Sequence, residues 1–250
     1  MFQITKRFRN FLNQQPELAK QCNAAYEGLM AENVTPLVTL LQDFFRQAPA
    51  RAVKDCNEAA LRTALTAFWS NPAGKCLPEL SLLVDPCAAH GEGRSGFLDL
   101  FLPDWSSAPC IELKNIPLET LWRGENKHKE LYSDVPLEGL REELKEETEE
   151  QLLERKVFYG KKECSVKDVK TEAFEQITGY LNVMKNGVAR ADLPGVYDHR
   201  VQQTEEECKL VGYVVILLGG TRALGWRVAT EQTKFTLHVK AEAKDDFFIP

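Results

Sequence analysis

The chain has 250 residues, of which 44% are hydrophobic and 27% are charged, a composition that fits one globular domain with additions. Its formal net charge of −6 makes it a poor non-specific binder of nucleic acid through bulk electrostatics. Seven scattered cysteines without a C-x-x-C pair argue against a disulfide framework or a zinc ribbon, and indicate a reducing compartment, the cytoplasm or the nucleus.

No membrane association is expected. No apolar run approaches the length of a transmembrane helix. The basic, amphipathic start of the chain lacks the apolar segment of a secretory signal.

Residues 1–45 are predicted to form an N-terminal helical extension, because Val38, Leu41 and Phe45 recur at helical spacing. Residues 46–250 are then expected to form one α/β domain. Its first helix is predicted over Asn57–Ser70, where Asn57 can cap the helix and Glu58 suits the positive end of the helix dipole.

The next segments predict a strand and a glycine-rich turn. Leu77–Val84 reads as a strand that Glu79 interrupts, and the stretch Gly91 to Gly96 formally fits G-x-G-x-x-G, with Arg94 as a candidate phosphate contact. A dinucleotide site would need a helix directly afterwards, but a strand pattern follows. A protein kinase-like fold, in which such a loop precedes a strand lysine, stays as a remote alternative, although no kinase catalytic loop follows.

The centre of the chain predicts two strands, Gly96–Leu102 and Cys110–Ile116, joined by a turn. Alternation along the first strand points Asp99 away from its leucines at 98, 100 and 102, and alternation along the second places Glu112 and Lys114 on one face. Burying such charges costs several kcal/mol. Two carboxylates and an ammonium that converge on a core sheet therefore indicate a divalent-metal site with a cation beside it.

Residues 117–170 read as an insert. Its highly charged helix, expected over residues 137–156, is either a solvated face or a surface for a protein partner. The best basic patch of the chain follows it and could track a phosphate backbone; its candidate residues are Lys161, Lys162, Lys167 and Lys170.

The last third predicts a helix and a buried strand. Thr171–Lys185 reads as a helix capped by Thr171, on which Gln176 and Tyr180 are neighbours one turn apart. The continuously apolar Leu210–Leu218 is typical of a central strand in parallel pairing. Further strands are expected after it, over Arg222–Val228 and Phe235–Val239.

Two motifs carry a family resemblance. Asp99 followed by Glu112-Leu113-Lys114 resembles the PD-(D/E)xK motif of the restriction-endonuclease-like nuclease superfamily, with Leu98 in the place of the proline. Gln176-x-x-x-Tyr180 in the following helix resembles the extra motif of the RecB and lambda-exonuclease branch, which also occurs in the nuclease-like domains appended to AAA-type ATPases.

The resemblance implies an αβββαβ core with a mixed sheet flanked by helices, over roughly residues 50–220. It implies that Asp99, Glu112 and the Leu113 carbonyl hold Mg²⁺ or Mn²⁺, and that Lys114 acts beside the metal. Gln176 and Tyr180 would orient the site, and Glu58 or Glu79 would complete a second metal site. The implied function is a metal-dependent nuclease that hydrolyses phosphodiester bonds, with DNA favoured over RNA; the alternative is a catalytically inactive binding or assembly module.

Overall fold

The structure is a computed structural model that describes residues 15–48, 56–69, 76–88, 94–104, 106–121, 134–160, 162–228 and 234–239. Its helices are α1 Pro16–Met30, α2 Thr35–Arg46, α3 Glu58–Phe68, α4 Asp134–Glu146, α5 Glu149–Glu154 and α6 Val166–Met184. Its strands are β1 Leu77–Leu83, β2 Ser95–Phe101, β3 Ser107–Ile116, β4 Lys156–Tyr159, β5 Lys162–Ser165, β6 Gly195–Val196, β7 Val201–Leu218, β8 Arg222–Val228 and β9 Lys234–Val239. The expected α/β class is confirmed.

One mixed sheet forms the centre of the molecule, in the order β6-β1-β2-β3-β7-β8, with β9 also paired to β7. Strands β1, β2 and β3 pair antiparallel, whereas β3 and β7 pair parallel from Ser107 opposite Lys209 to Ile116 opposite Leu218. All ten residues of β3 are buried, as expected for a central parallel strand with both faces covered. Strands β4 and β5 form a separate hairpin.

Two apolar layers cover the sheet. On one face, α6 packs Ile177 and Leu181 against strand residues such as Cys110 and Ile216. On the other face, the first three helices pack against alternate residues of β3 and β7; this second layer includes Leu29, Leu41, Leu65, Ile111 and Val215. Within the described ranges no helix is long and apolar enough to cross a bilayer.

Simple alternation along β2 is wrong. Leu98 packs in the layer under α6, whereas Leu100 and Leu102 pack in the opposite layer. The switch occurs at Asp99, opposite Glu79 of β1, which has a left-handed backbone with φ of 51°. Such a conformation costs about 1–3 kcal/mol for a residue other than glycine, and it breaks the regular pleat of both strands at this point.

Two helix boundaries also differ from expectation. The charged helix predicted over residues 137–156 is two helices, because Thr148 and Gln151 form a reciprocal capping box that starts α5 anew. Helix α6 begins at Val166 rather than Thr171, because Ser165 and Asp168 form a second capping box. Lys167 and Lys170 therefore lie in the first turns of α6.

Candidate metal and catalytic site

Asp99 lies where β2 separates from β3. The two strands pair only at Leu100 with Ile111 and at Phe101 with Cys110, and Asp99 is the next residue of β2. One carboxylate oxygen of Asp99 accepts the Leu113 N–H at 2.9 Å, and the other accepts Nη1 of Arg62 from α3 at 2.8 Å. The side chain of Asp99 is thus held at a junction of two strands and a helix.

A chain of hydrogen bonds runs from β3 to α6. Lys114 Nζ donates to Oε1 of Glu112 at 2.8 Å and to the side-chain oxygen of Gln176 at 3.1 Å. The amide nitrogen of Gln176 donates to the hydroxyl of Tyr180 at 3.0 Å. Four side chains that the sequence singled out are therefore brought together, although they come from positions 112 to 180.

Glu112 is more deeply buried than Asp99, with 1% of its surface exposed against 8% for Asp99. Its second oxygen, Oε2, is buried and has no hydrogen-bond donor among the described residues. Leaving a buried polar atom without a partner costs about 1–3 kcal/mol, and more for a charged group. An incoming cation would satisfy this oxygen.

Burial and the neighbouring carboxylates dominate the electrostatics. Burial, followed by the charge of Asp99, raises the pKa of Glu112 to about 8 despite the ammonium of Lys114. Burial also raises the pKa of Asp99, against the opposing hydrogen bonds from Leu113 and Arg62. Burial alone would lower the pKa of Lys114, but Glu112, Glu58 and Asp99 outweigh it and raise that pKa. The site holds more carboxylate than its own cations stabilise.

Arg62 links Asp99 to Glu79. Its Nη2 donates to Oε1 of Glu79 at 2.6 Å, while Nη1 contacts Asp99. The side chain of Glu79 is 58% exposed, and that of Arg62 is 20% exposed. The guanidinium of Arg62 therefore occupies a position beside Asp99 that would also attract a metal ion.

Glu58 approaches the site from the first turn of α3. The hydroxyl of Tyr159, on the hairpin of the insert, donates to its carboxylate at 2.7 Å. A surface depression of about 380 Å³ opens at the same helix end; it is lined by Asn57, Glu58, Ala59, Arg62, Asn115 and Pro117. Solutes can thus reach the helix side of the site through this depression.

The contact of Tyr180 with β2 requires a glycine. A Cβ atom on Gly96 would lie 2.7 Å from the ring carbon Cε1 of Tyr180, too close for any other residue without a shift. The ring therefore lies against the backbone of β2, three residues before Asp99. This contact fixes the end of the hydrogen-bond chain that reaches Lys114.

The predicted basic patch does not gather at the site. Lys167 lies roughly 180° around α6 from Gln176 at 100° per residue, and it pairs with Glu154 at 3.7 Å. The ammonium of Lys170 lies 4.1 Å from the ring centroid of Trp226 on β8.

The other basic candidates have different positions. Lys162 is exposed opposite Tyr159 in the hairpin, so it lies nearer to the site. Arg94 precedes β2 and is partly exposed. Lys161 and the glycine-rich residues 91–93 fall outside the described ranges.

Sequence reasoning missed two residues that contact the candidate carboxylates. Arg62 lies four residues after Glu58, so helical spacing could have placed both on one face of α3. Tyr159 carries no such signal, because its contact with Glu58 joins residues 101 positions apart.

The implied metal would need oxygen donors beyond the acidic side chains of the site. Among the described residues, no three His, Cys, Asp or Glu side chains are grouped closely enough to hold a metal ion. Asp99 and Glu112 would instead need the Leu113 carbonyl and solvent, which are oxygen donors suited to Mg²⁺ or Mn²⁺. The unpaired Glu112 oxygen makes this set compatible with a hard divalent cation.

Comparison with protein-family models, with curated proteins and with solved structures gave no match. The functional assignment therefore rests on the residues and their geometry.

Proposed function

We propose that the protein is a metal-dependent nuclease with a restriction-endonuclease-like core. The element order supports this proposal: helix α3, three antiparallel strands β1 to β3, helix α6, and then β7 parallel to β3. The acidic pair occupies the second and third strands of that order, and Gln176 and Tyr180 occupy its second helix.

The observation that carries the proposal is the buried carboxylate of Glu112 next to Asp99. One of its oxygens accepts from Lys114, and the other has no donor in the described ranges. Four carboxylates surround this point and two cations, Arg62 and Lys114, oppose them, so two negative charges are left when all are ionised. The four carboxylates belong to Glu58, Glu79, Asp99 and Glu112. One divalent cation would balance this excess.

Asp99, Glu112 and the Leu113 carbonyl would hold Mg²⁺ or Mn²⁺. When bound, the ion would neutralise charge on the scissile phosphate and lower the pKa of a bound water.

Lys114 supplies a second positive charge at the site, its own ammonium group. An ammonium has three N–H donors, and two of them are used on Glu112 and Gln176. No described residue accepts the third, which can donate to a phosphate oxygen or to the attacking water and so stabilise developing negative charge. Gln176, itself held by Tyr180, fixes the direction of that donor.

The test is cleavage of labelled single-stranded DNA, duplex DNA and RNA in Mg²⁺, in Mn²⁺ and in EDTA. The wild type should cleave at least one of these polymers in a divalent metal and none in EDTA. Asp99→Asn should remove the activity, whereas Asp192→Asn, at an exposed aspartate in a turn, should retain it. Equal activity of the Asp99→Asn variant and the wild type would disprove the assignment.

A second candidate is a nuclease-fold binding or assembly module without catalytic activity. The observation that favours it is Arg62, whose guanidinium neutralises Asp99 at the place where a metal would bind. This function predicts that the wild type cleaves none of the three polymers in either metal.

A further inference from the structure

Two aromatic rings stand exposed beside the candidate site. Phe97 on β2 is 56% exposed, and Tyr197, directly after β6, is 74% exposed. They flank Ser81 of β1: Phe97 pairs with Ser81 in the strand register, and the Tyr197 N–H donates to the Ser81 carbonyl at 2.9 Å. We call Phe97 and Tyr197 the aromatic pair.

Both rings point to the same side of the sheet. Their chain neighbours Leu98 and Val196, and Leu82 beside Ser81, all pack into the layer under α6. Because side chains alternate along a strand and cross-strand neighbours share a face, the aromatic pair and Ser81 point away from α6. Adjacent strands lie about 4.8 Å apart, so the two rings stand roughly 10 Å apart with a small serine between them.

The aromatic pair lies near the part of the site that α3 contacts, where Arg62 joins Asp99 and Glu79. Asp99 lies two residues beyond Phe97 on β2, and Glu79 lies two residues before Ser81 on β1, so each is about 7 Å further along its strand. A cation contacts residues of both features, because Arg200 donates to the Glu79 carbonyl at 2.9 Å and pairs at 2.6 Å with Asp198, the residue after Tyr197. The Arg200 side chain is 31% exposed.

We propose that Phe97 and Tyr197 bind unpaired bases of a single nucleic-acid strand, whose backbone passes Arg200 to reach Asp99. Exposed aromatic faces next to a cation are the chemistry by which proteins hold single strands, since every base has a face that stacks. In a duplex the bases already stack on each other, so the rings have no partner there. This proposal rests on the proposed nuclease function and names its substrate class: single strands, or the unpaired ends of duplexes.

The experiment compares ring-keeping with ring-losing substitutions. Fluorescence anisotropy in EDTA, where no metal-dependent cleavage occurs, measures binding of a labelled oligothymidylate of about 20 nucleotides and of a blunt duplex of the same length. Phe97→Leu and Tyr197→Leu should each weaken single-strand binding about tenfold and leave duplex binding unchanged. Tyr197→Phe should bind like the wild type, because the ring remains. Phe158→Leu is the matched control, because Phe158 is 55% exposed on β4, outside the aromatic pair.

Four results would overturn the proposal: no single-strand binding by the wild type, unchanged binding by both leucine variants, equal losses in Tyr197→Phe and Tyr197→Leu, or a similar loss in Phe158→Leu. Sedimentation velocity on the same samples can give a fifth contradicting result. If the wild type self-associates and Tyr197→Leu does not, the aromatic pair is an interface between copies of this chain. Unchanged thermal unfolding shows that the variants fold. Cleavage in Mn²⁺ is measured separately. If binding depends on the rings but no cleavage occurs, only the nuclease function is disproved. If cleavage occurs but binding does not depend on the rings, only this proposal is disproved.

Discussion

Two buried cations in this protein have opposite surroundings. Arg141 on α4 is 4% exposed and Lys114 on β3 is 9% exposed. Arg141 donates to Oγ1 of Thr221 at 2.6 Å and to the carbonyls of Ala48 and Phe45 at 3.0 and 3.3 Å. These three partners are neutral, and they join α4 to the end of α2 and to the turn before β8. The carboxylate of Glu138, whose side chain is 51% exposed, lies at the longer distance of 3.5 Å from Nη1.

Lys114, by contrast, lies among carboxylates whose pKa values are raised, and one oxygen of its partner Glu112 finds no donor in the part of the chain that the structure describes. A buried charge with neutral, fixed partners stabilises a fold, because its hydrogen bonds offset the cost of burial. A buried charge in an acidic cluster that is not neutralised lowers the stability of the fold. Such clusters are typical of sites that act on a ligand. The difference therefore lies in the balance of the surroundings and not in the depth of burial.

The largest expected effects come from replacing each cation by methionine. Lys114→Met should lower cleavage by at least about 10³-fold, since it removes the donor next to the reacting phosphate. Its stability should change little, because Glu112 can take up a proton when its partner is lost. Arg141→Met should leave cleavage per folded molecule unchanged but lower the free energy of unfolding by about 3 kcal/mol, since several buried acceptors lose their donor.

Urea unfolding and initial cleavage rates, measured on both variants, check this crossed pattern. If both variants lose stability and keep their activity, Lys114 is a structural residue like Arg141.

The next effect is a pH dependence that should distinguish the acidic site from the Arg141 region. The pKa of Glu112 is about 8 when folded, against an ordinary value of 4.5, so the folded state binds a proton that the unfolded chain has released. This contribution to stability is fully present below the ordinary pKa and is lost as the pH rises through about 8. Its upper limit is between about 10³- and 10⁴-fold in the unfolding constant, because the pKa rises from 4.5 to about 8.

Glu112→Gln should remove that dependence. Urea unfolding in EDTA at several pH values, with Arg141→Met as the control that keeps the slope, measures it. A wild-type slope that persists in Glu112→Gln would assign the pH dependence to other groups.

Gln176→Ala should lower the cleavage rate about 10²-fold, a size typical of losing one positioned polar group at a reacting centre. The melting temperature should barely change, because no large apolar contact is removed. Turnover and melting temperature of the same variant separate this role from that of an ordinary helix residue, for which the rate would stay at the wild-type value.

The smallest expected effect is on metal affinity. Arg62→Gln removes a cation that competes for Asp99, so Mn²⁺ binding measured by calorimetry should strengthen about tenfold. Arg190→Gln, in an exposed turn, should bind Mn²⁺ like the wild type. Weaker binding by Arg62→Gln would show instead that the guanidinium orients Asp99 for the metal.

The sequence predicts the site where local periodicity controls it. Glu112 and Lys114 share a face because β3 is a regular strand, and Gln176 contacts Tyr180 because both lie one turn apart on α6. The start of α6 lies five residues before the expected one, because the capping box of Ser165 and Asp168 is a stronger start signal than Thr171.

Other features depend on contacts that no local pattern encodes. The change of face along β2 follows from the left-handed backbone of Glu79 on a neighbouring strand. The approach of Tyr159 to Glu58 follows from the docking of the hairpin onto the core. The ion pair of Arg62 with Asp99 depends on how α3 crosses the sheet.

The parallel pairing of β3 with β7 has a consequence for how the protein folds. Each residue of β3 pairs with a residue about one hundred positions later, as Glu112 does with Val214, so β3 has an open edge until β7 has been synthesised. To pair strands so far apart in sequence, a large loop must close before any stabilising contact between them forms. This entropic cost slows folding and leaves strand edges exposed to aggregation. While that edge is open, the charges of Glu112 and Lys114 would oppose the association of exposed apolar strands. The residues proposed for catalysis would thus also protect this strand pair from aggregation while the chain is being made.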